Sequence, residues 1–225
     1  MANRDTHFET LLAQCRGPMT YTTPMVRRLR EVPPGKTMTR RVITNLTQNR
    51  RGGWSWKRHA GKRTYYGTFG SRATEALREF LLNHARFAPG DLAYIAEGIE
   101  AGPDPTDNDL DCAYYSVDDC TPVHQEGGEL VYWRWKPCGL PSRFMPKRFA
   151  RLILRIDEVR AERVQEISET DAAAEGFPFG CDAIDWFRDL WDSIHSRTTH
   201  DWKSNPWCFV YAFHVEARRP ERSDA

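Results

Sequence analysis

The sequence predicts an α+β fold: a small β-barrel flanked by helices, carrying a basic hairpin/helix insertion and an acidic loop. Three observations carry this. Strand-like runs recur at irregular spacing with a few helical patterns among them, and no internal repeat is visible. Hydrophobic residues are 40% and charged residues 28% of 225 positions, which suits a soluble globular chain able to bury a core. Two blocks of opposite sign stand within a chain whose net charge is only +1. Residues 50–72 hold seven cations and no acid, and residues 97–122 hold eight acids and no Lys or Arg. The chain reads as one domain over 21–216, with insertions at about 45–86 and 98–128, an N-terminal extension over 1–20 and a charged tail over 217–225.

Each element follows from local pattern. Phe8, Leu11 and Leu12 share one face of a short helix over 6–15. Met25, Val26 and Leu29 among arginines predict a second helix to Arg30, ended by Pro33, Pro34 and Gly35. Lys36 to Ile43 alternates and closes on a β-branched pair, so it reads as a strand. Trp54-Ser-Trp56 and Thr64-Tyr-Tyr66 suggest a hairpin joined across Ala60-Gly61. Ser71 to Ala85 is helical in spacing, with Ser71 as N-cap. Pro89-Gly-Asp91 is a turn into a strand over 92–96, and residues 100–111 read as an exposed loop. Further strands are expected over 130–136, 149–159 and 207–215. Ser168-Glu-Thr-Asp171 opens a helix that Gly176 ends, and Ile184 to Ile194 forms an amphipathic one.

Several classes are set aside. Residues 1–20 lack the apolar run of a secretory leader, and no window reaches roughly 18 apolar residues, so a cytoplasmic protein without a membrane partner is expected. Six cysteines without a Cys-x-x-Cys pair point to free thiols. No metal site and no cofactor are expected; Cys112, Cys120 and His124 match no standard zinc spacing.

The most informative stretch is Tyr21-Thr-Thr-Pro-Met-Val-Arg-Arg-Leu-Arg30, followed by Pro34-Gly-Lys-Thr-Met-Thr-Arg-Arg-Val-Ile43. It places Lys36, Thr39 and Arg41 in one short segment after a Gly turn. In a plain strand Lys36 and Thr39 point to opposite faces, and a bend at Gly35 would be needed to bring both to one cavity. A solvated basic strand is the alternative reading.

This segment resembles the opening motif of ASCH-domain proteins, especially the phage branch, where a helix precedes Gly-Arg-Lys-Thr-x-Thr-Arg-Arg. Three further blocks follow in family order: Pro89-Gly-Asp-Leu-Ala-Tyr-Ile-Ala-Glu97; Met145 to Val159; and Ile167 to Gly176 with Leu190-Trp-Asp-Ser-Ile194 and Asn205-Pro-Trp207. The resemblance spans 21–44 and 87–215 apart from the acidic insertion. It implies a PUA-like barrel with a cleft beside the Lys-Thr segment, a phage or prophage origin, and a partner that is a nucleoside or single-stranded RNA or DNA. A bacterial subgroup that it resembles hydrolyses N4-acetylcytidine with a Lys base, a Thr nucleophile and a Glu acid. Motif to motif, those roles fall on Lys36, Thr39 and Glu175, with Arg40 and Arg41 as electrostatic support and Glu97 at the end of the Gly-Asp strand. The chemistry is coherent, because a hydroxyl needs a base and a lysine is one only when burial or a nearby cation lowers its pKa. A solvated acid at a helix end is the alternative for Glu175, and there it would oppose the helix dipole. The chain departs from the family pattern at Pro33-Pro34-Gly35, at Ile99 and at Arg148-Phe149, all near the expected pocket rim.

The basic insertion lies outside the resemblance. Arg50, Arg51, Lys57 and Arg58 can neutralise phosphates, while Trp54, Trp56, Tyr65 and Tyr66 can stack on unpaired bases. Three functions therefore stand side by side: an amidohydrolase acting on an N4-acylated cytidine, a non-catalytic RNA- or DNA-binding module, and a ribonuclease.

Overall fold

The computed structural model describes residues 2–60, 63–72, 74–107, 110–117, 121–124, 129–178 and 182–219. The order opens with α1 (Ala2–Gln14), β1 (Gly17–Thr20), α2 (Thr23–Arg30), β2 (Met38–Val42) and β3 (Leu46–Gln48). Next come β4 (Trp54–Ala60), β5 (Arg63–Phe69), α3 (Thr74–Leu82), β6 (Leu92–Ala96), β7 (Ile99–Pro103), β8 (Asp111–Tyr115) and β9 (Gly139–Leu140). The chain closes with β10 (Leu152–Arg163), α4 (Glu169–Ala174), α5 (Ala183–His195) and β11 (Trp207–Arg218). This is an α+β fold with mixed sheets. The described strands form sheets of five, three and three, in none of which the first and last strands pair with each other, so the expected closed barrel is not seen among them. Among the described residues no helix is long and apolar enough to cross a membrane.

The chain divides into two compact units, one of residues 1–35, 90–156 and 213–225, the other of 36–89 and 157–212. In the first, β1 pairs parallel with β6 (Met19 opposite Ile95), and β6 pairs antiparallel with the start of β10 (Tyr94 opposite Ile153). All five side chains of β6 are buried, as expected of a strand covered on both faces. The helix read from Phe8, Leu11 and Leu12 is α1, and those residues join Tyr94, Phe149 and Ile153 in this unit's core. Arg218 ends α2 from the far end of the chain, its guanidinium donating to the carbonyls of Leu29, Arg30 and Glu31. A cation there satisfies carbonyls that a helix end leaves open.

Two expectations fail in this unit. Residues 100–111 are not an exposed loop throughout: Ile99–Pro103 is β7, paired with β8 and β9. Pro and Gly composition suggested a loop, but Pro103 sits at the strand's last position, where its missing N–H costs no ladder bond. Conversely, Leu130 to Lys136 forms no continuous strand. It lies along β8 through isolated bridges, with the Ala113 N–H donating to the Val131 carbonyl and the Trp133 N–H to Asp111.

The second unit holds β2, β11 up to Ala212, the β3-β4-β5 sheet, and α3 to α5. β2 pairs antiparallel with β11, Thr39 lying opposite Tyr211 and Arg40 opposite Val210. The predicted hairpin is β4–β5, longer than its Trp and Tyr motifs, with Trp56 opposite Gly67 and Arg58 opposite Tyr65. Gly61, expected in its turn, lies outside the described residues. α3 begins at Thr74, so Ser71 is not its N-cap. Trp56, Leu77, Leu81 and Trp207 form one core cluster, and Met38, Phe187, Trp191 and Val210 a second.

Candidate functional site

The site is built where β2 begins and α4 ends. Ser168 caps α4 by accepting from the Asp171 N–H at 3.1 Å, and Gly176 closes the helix at φ 104°. A left-handed residue after the last turn is the ordinary place for Gly. The open carbonyls are taken by the segment before β2. The Thr37 N–H donates to Ala174 O at 2.8 Å, and Lys36 Nζ donates to Glu175 O at 2.7 Å. Lys36 therefore lies against the negative end of α4, where a cation is stabilised.

The same ammonium donates to Glu175 Oε2 at 2.7 Å, with side chains only 2% and 4% exposed. Glu175 is thus a buried partner of Lys36, not a solvated helix-end acid. Its second oxygen, Oε1, is buried and accepts no hydrogen bond among the described residues, while Arg40 Nη1 stands 3.6 Å away. Buried carboxylate oxygens are nearly always hydrogen-bonded, so an open one marks a place where a donor fits. Burial pushes the Lys36 pKa below its ordinary 10.5; Glu175 opposes this, and Arg41 and Arg40 add to it.

Arg40 is held from behind. Its Nη2 reaches Asp171 Oδ2 at 2.6 Å and Glu162 Oε2 at 3.3 Å, and Arg160 reaches the same two carboxylates at 2.9 and 3.3 Å. Lys36, Arg40 and Arg160 thus face Glu162, Asp171 and Glu175, three cations against three anions. Asp171, Glu162 and Arg160 were absent from the sequence expectation. The one available signal was Asp171 four residues before Glu175, which puts both on one face of α4. Beside this network lies a cleft of about 560 Å³ lined by Glu75, Arg78, Glu79, Arg160, Glu162 and Glu166 among others. Arg160 and Glu162 belong to both cleft and network.

Thr39 is buried, at 4% exposure. Alternation along β2 puts Met38 and Arg40 on the face that meets α4 and α5, and Thr39 and Arg41 on the other, beside Tyr211 and Phe209. The structure therefore brings Lys36, Arg40 and Glu175 together and sets Thr39 on the reverse face of the same strand.

The remaining expected site residues separate. Glu97 is fully buried, and both its oxygens accept from Arg151, whose guanidinium lies 3.6 Å from the Tyr115 ring centroid. With both oxygens taken, Glu97 is a strut of its unit. Trp56 is 3% exposed and packs edge-on against Phe80 at 5.1 Å. Trp54 packs edge-on against Trp207, with Arg163 over its ring at 4.5 Å. Arg50, Arg51, Lys57, Arg58 and Tyr65 are exposed. Cys15, Cys112, Cys138 and Cys208 are free thiols; Cys120, considered above for zinc, lies outside the described residues. Among the described residues no group of three or more His, Cys, Asp or Glu is arranged to hold a metal.

Comparison with protein-family models finds no match, and comparison with curated proteins finds none either. Among solved structures, the crystal structure of a protein from Enterococcus faecalis described under family-model DUF984 is similar, at 9% identity and a TM-score of 0.43, with 100% of each chain covered.

Proposed function

We propose that the buried Lys36–Glu175 pair is the centre of an amidohydrolase of ASCH type, on a PUA-like scaffold, acting on an N4-acylated cytidine or a closely related acylated nucleobase. The observation that carries this is the pair itself: 2.7 Å apart, withdrawn from water, with one carboxylate oxygen that accepts no hydrogen bond among the described residues and has only Arg40 Nη1 at 3.6 Å. A buried lysine whose pKa is lowered by desolvation, held against a specific charge partner, is the kind of group that clusters at functional sites. In so dry a setting one proton passing from Lys36 Nζ to Glu175 Oε2 yields an amine base and a carboxylic acid, the two groups that amide hydrolysis needs. The amine takes the proton of the attacking hydroxyl as that oxygen bonds to the acyl carbon. The acid then protonates the exocyclic nitrogen as the C–N bond breaks and cytidine leaves; the acyl group departs as its carboxylic acid, at once if water attacked, or after a water hydrolyses the acyl ester if threonine attacked. Arg40 stands where it would stabilise the Glu175 carboxylate that results. The same chemistry serves a base that is free or carried in a single strand of RNA or DNA.

The resemblance assigns the attacking hydroxyl to Thr39, and the reverse-face position makes that the step to test. Purified protein is incubated with N4-acetylcytidine and released cytidine is measured. Turnover that drops at least about 100-fold in Lys36→Ala and in Glu175→Gln is the expected result. If Thr39→Val also abolishes turnover, threonine is the nucleophile; if it does not, water activated by Lys36 is. Absence of turnover in the wild type, with N4-acetylcytidine and with other N4-acylated cytidines, overturns the reading.

A further inference from the structure

The basic insertion takes no part in the Lys36–Glu175 centre, and its geometry redistributes the residues that the sequence pointed to. Trp54 and Trp56 are drawn into the core side of the hairpin, with Trp56 against Phe80 and His84 at 5.1 and 4.6 Å. Phe80 also meets Phe69 at 4.9 Å and fits only because position 67 is Gly: a Cβ there would lie 2.9 Å from its Cζ. The base of the hairpin is thereby pinned to α3. Beyond it, side chains emerge as cross-strand pairs of one cation and one tyrosine, Lys57 opposite Tyr66 and Arg58 opposite Tyr65. Alternation sends the two pairs to opposite faces of the ribbon. Tyr66 is 70% and Tyr65 48% exposed, and Lys57 Nζ stands 5.8 Å from the Tyr66 ring centroid. Arg63 is exposed on β5 as well. In the turn before β4, Asn49 Oδ1 accepts from the N–H of Arg51 and of Gly53, and Gly52 has φ 79°, which fixes Arg50 and Arg51 outward.

We propose that this outer part of β4–β5, with the Arg50-Arg51 turn, is a docking surface for single-stranded nucleic acid. A strand crossing the β5 edge of the ribbon meets Arg58, Arg63 and Tyr65 on one face and Lys57 and Tyr66 on the other, the cations taking phosphates and the tyrosines stacking on unpaired bases, with Arg50 and Arg51 taking further phosphates. The pairing of flat rings with cations on a fixed ribbon favours this partner over an acidic peptide, which offers charge but nothing planar to stack. It favours a single strand over a duplex, whose bases are already stacked and present only edges. The surface stands independently of the proposed hydrolase.

The test is fluorescence anisotropy with a labelled 12-nucleotide oligo(U) and the matching oligo(dT), titrated with full-length protein from low to moderate salt. Binding is expected to weaken with salt, by a log–log slope of about 0.7 for each phosphate contact. The Arg50→Ala/Arg51→Ala/Lys57→Ala/Arg58→Ala variant flattens that slope. Tyr66→Ala weakens binding by about 5-fold or more while Tyr66→Phe retains it, a contrast that lost folding does not mimic because Tyr66 is exposed. No binding at low salt, equal affinity for a duplex, full competition by poly-glutamate at matched charge, or unchanged affinity in the cation and tyrosine variants overturns the proposal.

Discussion

Lys36 shows how one residue takes its character from a partner 139 positions away. Alone it is an ordinary basic side chain in a basic segment; against Glu175 and the end of α4 it is a desolvated cation on two acceptors. Removing one member of a buried pair leaves the other charge without compensation, typically at about 3–5 kcal/mol, whereas removing both costs much less. Lys36→Met should therefore destabilise the protein by several kcal/mol, and Lys36→Met/Glu175→Leu by clearly less than the two single changes summed. Urea unfolding of the four proteins measures this, and strict additivity would contradict the pairing. The pH dependence has a definite sign. Lys36 is held below its ordinary 10.5, chiefly by burial. Between its folded and unfolded values the unfolded chain binds more protons, so this group makes stability rise with pH until 10.5 is reached. Lys36→Met should lose that alkaline gain.

At the scale of elements, helices were legible where a cap or a stripe announced them. Ser168 caps α4 and Gly176 ends it, and both can be named from sequence because capping is local chemistry. α4 is only six residues long, too short to hold itself together by propensity, yet it carries Asp171 and precedes Glu175. Ser168→Ala should cost about 1 kcal/mol, with Ser168→Asp close to wild type, read from thermal midpoints. Strands were read less well. β7 hides among Gly and Pro because its partners β8 and β9, not its composition, make it a strand. Residues 130–136 alternate correctly but meet β8 only through isolated bridges. The hairpin was found, but not which of its aromatics face inward. Trp56 and Tyr65 are both aromatics of the same acid-free basic run; the packing of Phe80 on Gly67 and Trp56 decides that Trp56 is core while Tyr65 is surface.

At the scale of the molecule, each compact unit is assembled from separate stretches of chain. Residues 1–20, set apart by sequence as an extension, supply Phe8, Leu11, Leu12 and Met19 to the interior and β1 to the sheet. Deleting them removes these four side chains together with the buried Cys15, and a parallel strand pairing. At roughly 2–5 kcal/mol for each large buried side chain, the loss exceeds what a domain of this size holds in reserve. The truncated chain should lack a cooperative unfolding transition; a cooperative transition near the wild-type midpoint would show α1 and β1 to be dispensable.

What the sequence by itself determined is whatever local chemistry encodes. That includes the α+β class from its periodicities, the caps of α4, the hairpin from its alternating aromatics, and the acid-free basic run. The four motif blocks also carry a resemblance from which Lys36 and Glu175 are proposed as site residues. Only the tertiary structure decided that these two meet away from water, that Arg40 is locked behind them by Asp171 and Glu162, and that Thr39 takes the reverse face of β2. The physical reason is common to all three. Burial and charge pairing depend on residues far apart in the chain, and a side-chain period of two fixes which face a residue takes only once its strand has neighbours.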